Sequence, residues 1–579
     1  MNFFPVHVPG GFPLLEWVTA RSVWVAMGFG LGLFASGASQ AADAPAGVAP
    51  HNVVIDVSPV PEIRQPSTLQ SGWQRGAFME VFVRAYKDSN GDGVGDLKGL
   101  TQQLDYLKDL GVKGIWLMPI TASADGDHGY ATTDFRAIEP AYGTLEDFDE
   151  LLRQAHARGI GVIMDYVINH SARTHPLFAS AQTGPASPFY DWFVWEKETP
   201  AGWDIWGKNP WTSTPQGNYF GTFGPHMPDF NFRNPAVLAY HQSSLRFWLN
   251  RGLDGYRLDA VPHLVENSAK DWNDQPESRR LTGELTALIT AYPRRHVVCE
   301  ATANPQVYAA SDICGSAFAF GLERNIVKAA KGDKKAIRAV ADYFTTAPQT
   351  MATFVGNHDI FAGARLWDQL RGNRAQYKLA AASYLLQPGT PFIYYGEEVG
   401  MAGLVSLPGD EPLRAPMSWS ADSQRGGFTT GNPFRPVAPN VARYNVAAQL
   451  ADPHSLLSFY KSMLSLRNTL PSLASGSYDA PKVQGRVMAY RRTLGAETTL
   501  VVTNYGKKSA IMRLDQLAAG AQFVPVFPNG GKAVAANAQG ALNVRLPARR
   551  ASLRQSLDGS MPHRRTCCAQ KPNAPLRHW

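Results

Sequence analysis

From Phe78 onward the chain alternates between two rhythms. Short runs rich in β-branched and aromatic residues fall at 78–84, 112–118, 161–168, 255–261, 296–301, 316–320, 352–355 and 391–395. Between them lie stretches whose apolar residues recur at three and four positions, such as 145–158 and 235–251, the mark of an amphipathic helix. Eight strand–helix units predict an α/β chain built on a (β/α)8 TIM barrel, spanning 73–470, whose chemistry sits where the strands end. One connection, 171–232, is too long for a simple loop and carries Trp192, Trp195, Trp203, Trp206, Trp211 and Tyr219. It reads as a domain inserted after the third strand. Past the helical stretch 455–470 the period shortens to two, as in 487–491 and 499–503, which predicts a C-terminal β-sandwich over 471–548. Residues 549–579 have neither rhythm, and are expected to be a basic, disordered tail.

The N-terminus reads as an address. Arg21 precedes the apolar run 23–34, and the small residues Ser39 and Ala41 follow. That is the layout of a cleaved signal peptide covering 1–42, with residues 43–72 as a linker and the mature protein exported to the periplasm or medium, free of the membrane. The run is short for a membrane span.

The formal charge of +7 on 579 residues changes the picture little. Arg549, Arg550, Arg554, Arg564, Arg565, Lys571 and Arg577 face Asp558 alone in the tail. The rest is near neutral, so no nucleic-acid groove is implied. Aromatic content of 11% suits stacking on sugar rings as well as an ordinary core. In an exported chain Cys299 and Cys314 could form a disulfide or remain two buried thiols.

Two groups of residues carry chemistry. The first is the loop Asp88-Ser89-Asn90-Gly91-Asp92-Gly93-Val94-Gly95-Asp96. Oxygens of Asp88, Asn90, Asp92 and Asp96, with the Val94 carbonyl, follow the alternate-position pattern of an EF-hand calcium loop. An EF-hand needs a closing Glu where this chain has Gly99, and an entering helix where it has a strand. The loop is therefore expected to be a strand-to-helix turn that binds Ca2+ with borrowed geometry; a metal-free Asp/Asn/Gly turn is the plainer alternative. The second group lies at predicted strand ends. Asp259 ends the fourth strand, Glu300 the fifth, and Asp359 follows the seventh. Gathering three acids at one rim is costly unless function needs them. Arg257, two residues before Asp259 and on the same face of its strand, would keep it ionised as a nucleophile.

The segments around Asp165–His170, Gly255–His263, Cys299–Ala301 and Gly356–Asp359 resemble the four signature regions of the α-amylase superfamily of glycoside hydrolases, and Met227-Pro228-Asp229-Phe230-Asn231 resembles a further one. The resemblance covers about 78–471 and implies the same three-part architecture. It implies that Asp259 is the nucleophile, Glu300 the general acid/base and Asp359 the acid that grips the sugar hydroxyls. Arg257 then orients the nucleophile, His128, Tyr130, His170 and His358 line the cleavage subsite, and His263 meets sugar on the leaving side. Asp165 is a structural acid, and Asn169 and Asp229 are candidates for a second calcium site. The Asp88–Asp96 loop also has a calcium-binding counterpart in many bacterial members.

Such a pair of carboxylates implies a retaining double displacement. The subfamily is mixed. Exo-acting members usually carry Asp directly after the tyrosine matched by Tyr130, where this chain has Ala131; yet 410–419 resembles a segment of α-glucosidases and trehalose synthases. The expectation is an endo-acting α-amylase cutting α-1,4-glucans. The alternatives are an exported α-glucosidase or α-glucan transferase, and, remotely, a non-catalytic carbohydrate-binding relative.

Overall fold

The computed structural model describes residues 55–557. Six strands lie side by side in the order His296–Cys299, Gly255–Leu258, Gly161–Tyr166, Gly114–Leu117, Phe78–Val81, Phe392–Tyr394, each pair parallel. Parallel bridges Cys299↔Ala317, Phe318↔Ala352 and Thr353↔Pro391 join the two edges. The sixth and seventh predicted strands are thus single bridges that complete an eight-membered ring. The strands are buried on both faces, as a barrel wrapped in helices requires. The first is shorter than the periodicity predicts: it stops at Val81, and a helical turn, Val83–Tyr86, follows.

Aromatic rings fill the barrel. Phe78 stacks on Phe392 at 5.0 Å, and Phe318 meets both Phe392 and Trp116. Trp73 plugs the end where strands begin. A Cβ at Gly161 would sit 2.1 Å from its ring, so only glycine fits there. The helices start on schedule: Thr144 caps Leu145–Ala157 with a reciprocal Asp147 box, and Asn234 caps Pro235–Asn250. Part of the expected linker is not free. Ser67 and Leu69 are buried, and the Ser67 hydroxyl donates to the buried Asp254 at 2.7 Å. That carboxylate also meets Arg295 and His156, which explains why the segment docks: an unpaired buried charge is expensive.

Between Tyr166 and Pro235 stand the helix Pro176–Ala181 and a small antiparallel sheet. In it Gly217–Phe220 lies between Trp195–Glu196 and Trp211–Thr214. Phe178 stacks on Trp195 at 5.7 Å, as does Tyr190 at 4.9 Å. Cys299 and Cys314 form a disulfide.

The C-terminal part has a six-stranded sheet facing the strand pair Ala510–Leu514 and Leu542–Leu546. Alternation divides its side chains. Leu500 and Val502 pack between the sheets, whereas Val501 joins the main core. Here the sequence reading needs correction. Arg550–Ser556, assigned to a disordered tail, is an interior strand paired with Glu497–Asn504 on one side and Gln522–Phe527 on the other. Ala551 and Leu553 alternate with polar neighbours and are buried; the dense positive charge masked a period of two. Residues 558–579, like the proposed signal segment, lie outside the described residues.

Candidate active site

Asp259, Glu300 and Asp359 line one cavity of about 580 Å³ at the C-terminal ends of the barrel strands. His128, Tyr130, His170, His263 and Arg414 line it too, with Trp206 and Phe223 from the inserted region. Arg257 lies beneath, fully buried. Its Nη1 donates to Asp165 at 2.8 Å and contacts Asp259, and its Nη2 meets Glu300 at 3.0 Å. Two carboxylates on neighbouring nitrogens of one guanidinium are held at a fixed spacing. The Trp116 ring supports that guanidinium at 5.2 Å. Glu300 also accepts the backbone N–H of Ala260 at 3.0 Å. Ala260 adopts φ 48°, a left-handed turn that bends the chain away immediately after Asp259.

Burial raises the pKa values of Asp259, Asp165 and Asp359. Asp259 is pushed up by burial, with Arg257 opposing and Glu300 and Asp165 adding to the rise. Asp165 reaches about 6 through burial, restrained by Arg257. Asp359 reaches about 7 through burial and the nearby Glu300, against the pull of Arg414. One buried guanidinium serves three carboxylates, Asp165, Asp259 and Glu300.

A relay runs behind them. Tyr130 Oη lies 2.8 Å from Asp165 and 2.7 Å from His358 Nε2, and His358 Nδ1 is 2.6 Å from Glu80. Burial holds Glu80 well above its usual pKa and His358 well below. Glu80, His358, Tyr130 and Asp165 thus form one continuous hydrogen-bonded chain, in which the Tyr130 hydroxyl donates to Asp165. The Tyr130 ring stacks on His358 at 5.4 Å. His170 contacts the Tyr130 carbonyl through Nε2 at 3.2 Å. Burial lowers His170 to about 3 and His263 to about 4, so both are neutral. The Nδ1 atoms of both are buried without a hydrogen-bond partner among the described residues.

The sequence-predicted site residues at the rim line this cavity or meet Arg257, except His358, which lies behind Tyr130 and Asp359. Sequence reasoning missed four contributors. Glu80 and Trp116 sit in barrel strands; the signal for Glu80 was a carboxylate inside the apolar run Phe78–Val81. Asp127 and Trp206 are in loops with no such signal. Asp127 also bears on the reading of Ala131. Ala131 is buried against Ala172 and Met227. Arg414 already has its carboxylate, Asp127, at 2.8 Å. It also approaches Asp359 at 3.7 Å and Asp410 at 3.5 Å, while Arg435 braces Asp127 at 3.2 Å. Asp229, a second-calcium candidate, accepts from the Thr222 hydroxyl and N–H, and both polar atoms of the Asn169 side chain are unpartnered.

The Asp88–Asp96 loop lies apart, leading into the helix Leu97–Gln102. Asp88, Asn90 and Asp92 each accept the N–H two residues on, at 2.9, 2.9 and 2.8 Å. These successive turns bring alternate side-chain oxygens back over the loop. Asp96 caps the helix through Gly99 N–H. Burial raises the Asp88 pKa, but Thr429 and three backbone N–H donors outweigh it and hold it low. Gly93 is at φ +92° with Asn432 O where a Cβ would be. The donor set is all oxygen with three carboxylates, chemistry that suits a hard divalent cation.

Comparison with known proteins identifies the family. The family model of the α-amylase catalytic domain matches residues 80–476. The chain is 35% identical to alpha-amylase 3 of Dictyoglomus thermophilum over 455 residues, covering 75% of this chain and 86% of that protein. It is 32% identical to the trehalose synthase/amylase TreS of Mycolicibacterium smegmatis over 523 residues, covering 79% and 88%. Among solved structures, an α-amylase from H. orenii superposes with a TM-score of 0.73 at 31% identity, covering 83% of this chain and 99% of that one. The trehalulose synthase MutB gives 0.73 at 27%, with 83% and 99% covered. This chain belongs to the α-amylase family of glycoside hydrolases and is an enzyme of that class.

Proposed function

We propose that the enzyme is a retaining, endo-acting α-1,4-glucan hydrolase that cuts maltooligosaccharides and starch-like chains. The observation that carries this reading is Arg257, which holds Asp259 and Glu300 on one guanidinium inside a cavity walled by aromatic rings. Asp259 attacks the anomeric carbon and forms a glycosyl ester while Glu300 gives its proton to the departing oxygen. Water, deprotonated by the same Glu300, then attacks the anomeric carbon and releases Asp259. Arg257 favours the charge on Asp259. Asp359, His358, His170, His128 and Tyr130 grip the sugar at the point of cleavage.

The Asp127–Arg414 bridge favours a second reading. It fixes Arg414 in the cavity wall beside Asp359, where an α-glucosidase or α-glucan transferase would need a barrier to hold single glucosyl units. A product time course separates the two. Mixed maltooligosaccharides appearing from starch before much glucose, with maltose a poor substrate, supports the endo reading. Glucose as the sole early product overturns it in favour of the second.

The Asp88–Asp96 loop is proposed to bind Ca2+ through the side chains of Asp88, Asn90, Asp92 and Asp96 and the Val94 carbonyl. The ion would brace the loop structurally and take no part in the reaction. Excess chelator should lower the melting temperature, because an ion bound only by the folded state stabilises it by mass action; an unchanged value would refute the site. Export is proposed from the N-terminal sequence, and the Cys299–Cys314 disulfide fits an oxidising compartment.

A further inference from the structure

Trp206 is 62% exposed at the cavity, in a conformation that costs energy. Ile205 and Lys208 exchange both backbone hydrogen bonds, 2.8 and 3.0 Å, around a two-residue turn. Trp206 occupies it at φ 50° and Gly207 at φ 83°. Such turns favour Asn and Gly; a bulky side chain at positive φ is strained. The turn is nonetheless well anchored. Ile205 is buried with Trp211 and Phe220, and Asp204 accepts Gly207 N–H at 2.6 Å. A strained residue held in place by a rigid surround marks a functional position.

Its neighbours meet it at an angle. Trp272 lies 5.4 Å away at 90°, His263 5.6 Å at 79°, and Phe223 5.7 Å at 43°. Among the described residues no ring stacks flat on Trp206, so a ring face is left for a flat ligand. The location has a polarity. Ala260 N–H holds Glu300, and His263 N–H closes the same turn on the Ala260 carbonyl. Trp206 is therefore on the Glu300 side, and the Asp127–Arg414 bridge is beyond Asp359 on the other. Glu300 is the group that protonates the departing oxygen, so sugar on this side belongs to the leaving chain.

We propose that Trp206 is the stacking platform for a glucosyl unit of the leaving chain, and thereby sets the enzyme's preference for longer substrates. The proposal rests on the glucan-hydrolase reading above. An apolar sugar face laid on the indole gives binding energy remote from the scissile bond, which can be used in the transition state.

The test compares maltoheptaose with α-glucosyl fluoride, whose leaving group is a single atom. Trp206→Ala should lower kcat/KM for maltoheptaose by about tenfold or more. The loss on α-glucosyl fluoride should be several-fold smaller, since that substrate has nothing to stack. Trp206→Phe, which keeps a ring, should recover most of the loss. Maltoheptaose kcat/KM unchanged in Trp206→Ala, or an equal loss on both substrates, would overturn the proposal. Failure of the glucan reading would appear earlier, as wild-type enzyme that turns over the fluoride but not maltoheptaose; the Trp206 proposal would fall with it.

Discussion

Arg414 donates to Asp127 at 2.8 Å while approaching Asp359 at 3.7 Å, so one cation serves both the wall of the cavity and its third acid. Asp359 sits near pKa 7 with Arg414 pulling it down. Removing the cation disfavours the carboxylate and raises that value further. Arg414→Ala should therefore move the acid limb of the kcat/KM–pH profile upward and lower the maximum by roughly 10–100-fold, the scale of losing one partner of a buried charge pair. Arg414→Lys should recover part of it. An acid limb at the wild-type pH in Arg414→Ala would contradict the coupling.

Asp259→Asn removes the proposed nucleophile with little change in volume. Turnover should fall by about 10⁴-fold or more, the scale of deleting a nucleophile. The circular dichroism spectrum should stay that of the folded enzyme. Retention of more than about a hundredth of the activity would move the nucleophile elsewhere.

Glu397 is buried and accepts the hydroxyls of Tyr384 and Tyr460, each at 2.6 Å. Burial lifts it to about 7 from 4.5. Between those values the unfolded chain releases the proton and the folded chain keeps it, so stability falls as pH rises. Below pH 4.5 both states are protonated; above about 7 both are ionised, and the penalty is complete. Glu397→Gln keeps the acceptor oxygen without the charge. Melting temperatures across pH 4.5–8.5 should show the variant gaining on wild type as pH rises, by on the order of a few kcal/mol in stability. A constant difference across that range would refute the assignment.

Arg550–Ser556 lies between two strands of the C-terminal sheet. A chain ending at Ala548 exposes the edges of Glu497–Asn504 and Gln522–Phe527 and uncovers Tyr490 and Val501. Exposed flat edges recruit other chains. The truncated protein should aggregate on expression or melt well below the full chain. Soluble truncated protein with an unchanged melting temperature would show that strand to be dispensable.

Most of the frame was readable from local order. Strand and helix periods, capping residues and the acids at strand ends are near-neighbour properties, and they placed Asp259, Glu300, Asp359 and Arg257 on one rim before any coordinates. The loop Asp88–Asp96 declared itself the same way, by alternate oxygens and glycines. Long-range relationships were invisible. Arg414 and Asp127 are 287 positions apart, and His358 and Glu80 are 278 apart. Neither pairing has a local signature, because a buried charge finds its partner through the packing of distant loops. The bearing of Ala131 was hidden for the same reason: the chain shows its neighbours in order, whereas the wall of the cavity depends on which side chains the folded loops bring opposite, here Asp127 and Arg414. The last strand was hidden differently. Its two-residue period was present in Ala551 and Leu553, but the decisive fact is that only the assembled sheet supplies edges on both sides, and pairing between distant segments turns a charged, weakly patterned stretch into an interior strand.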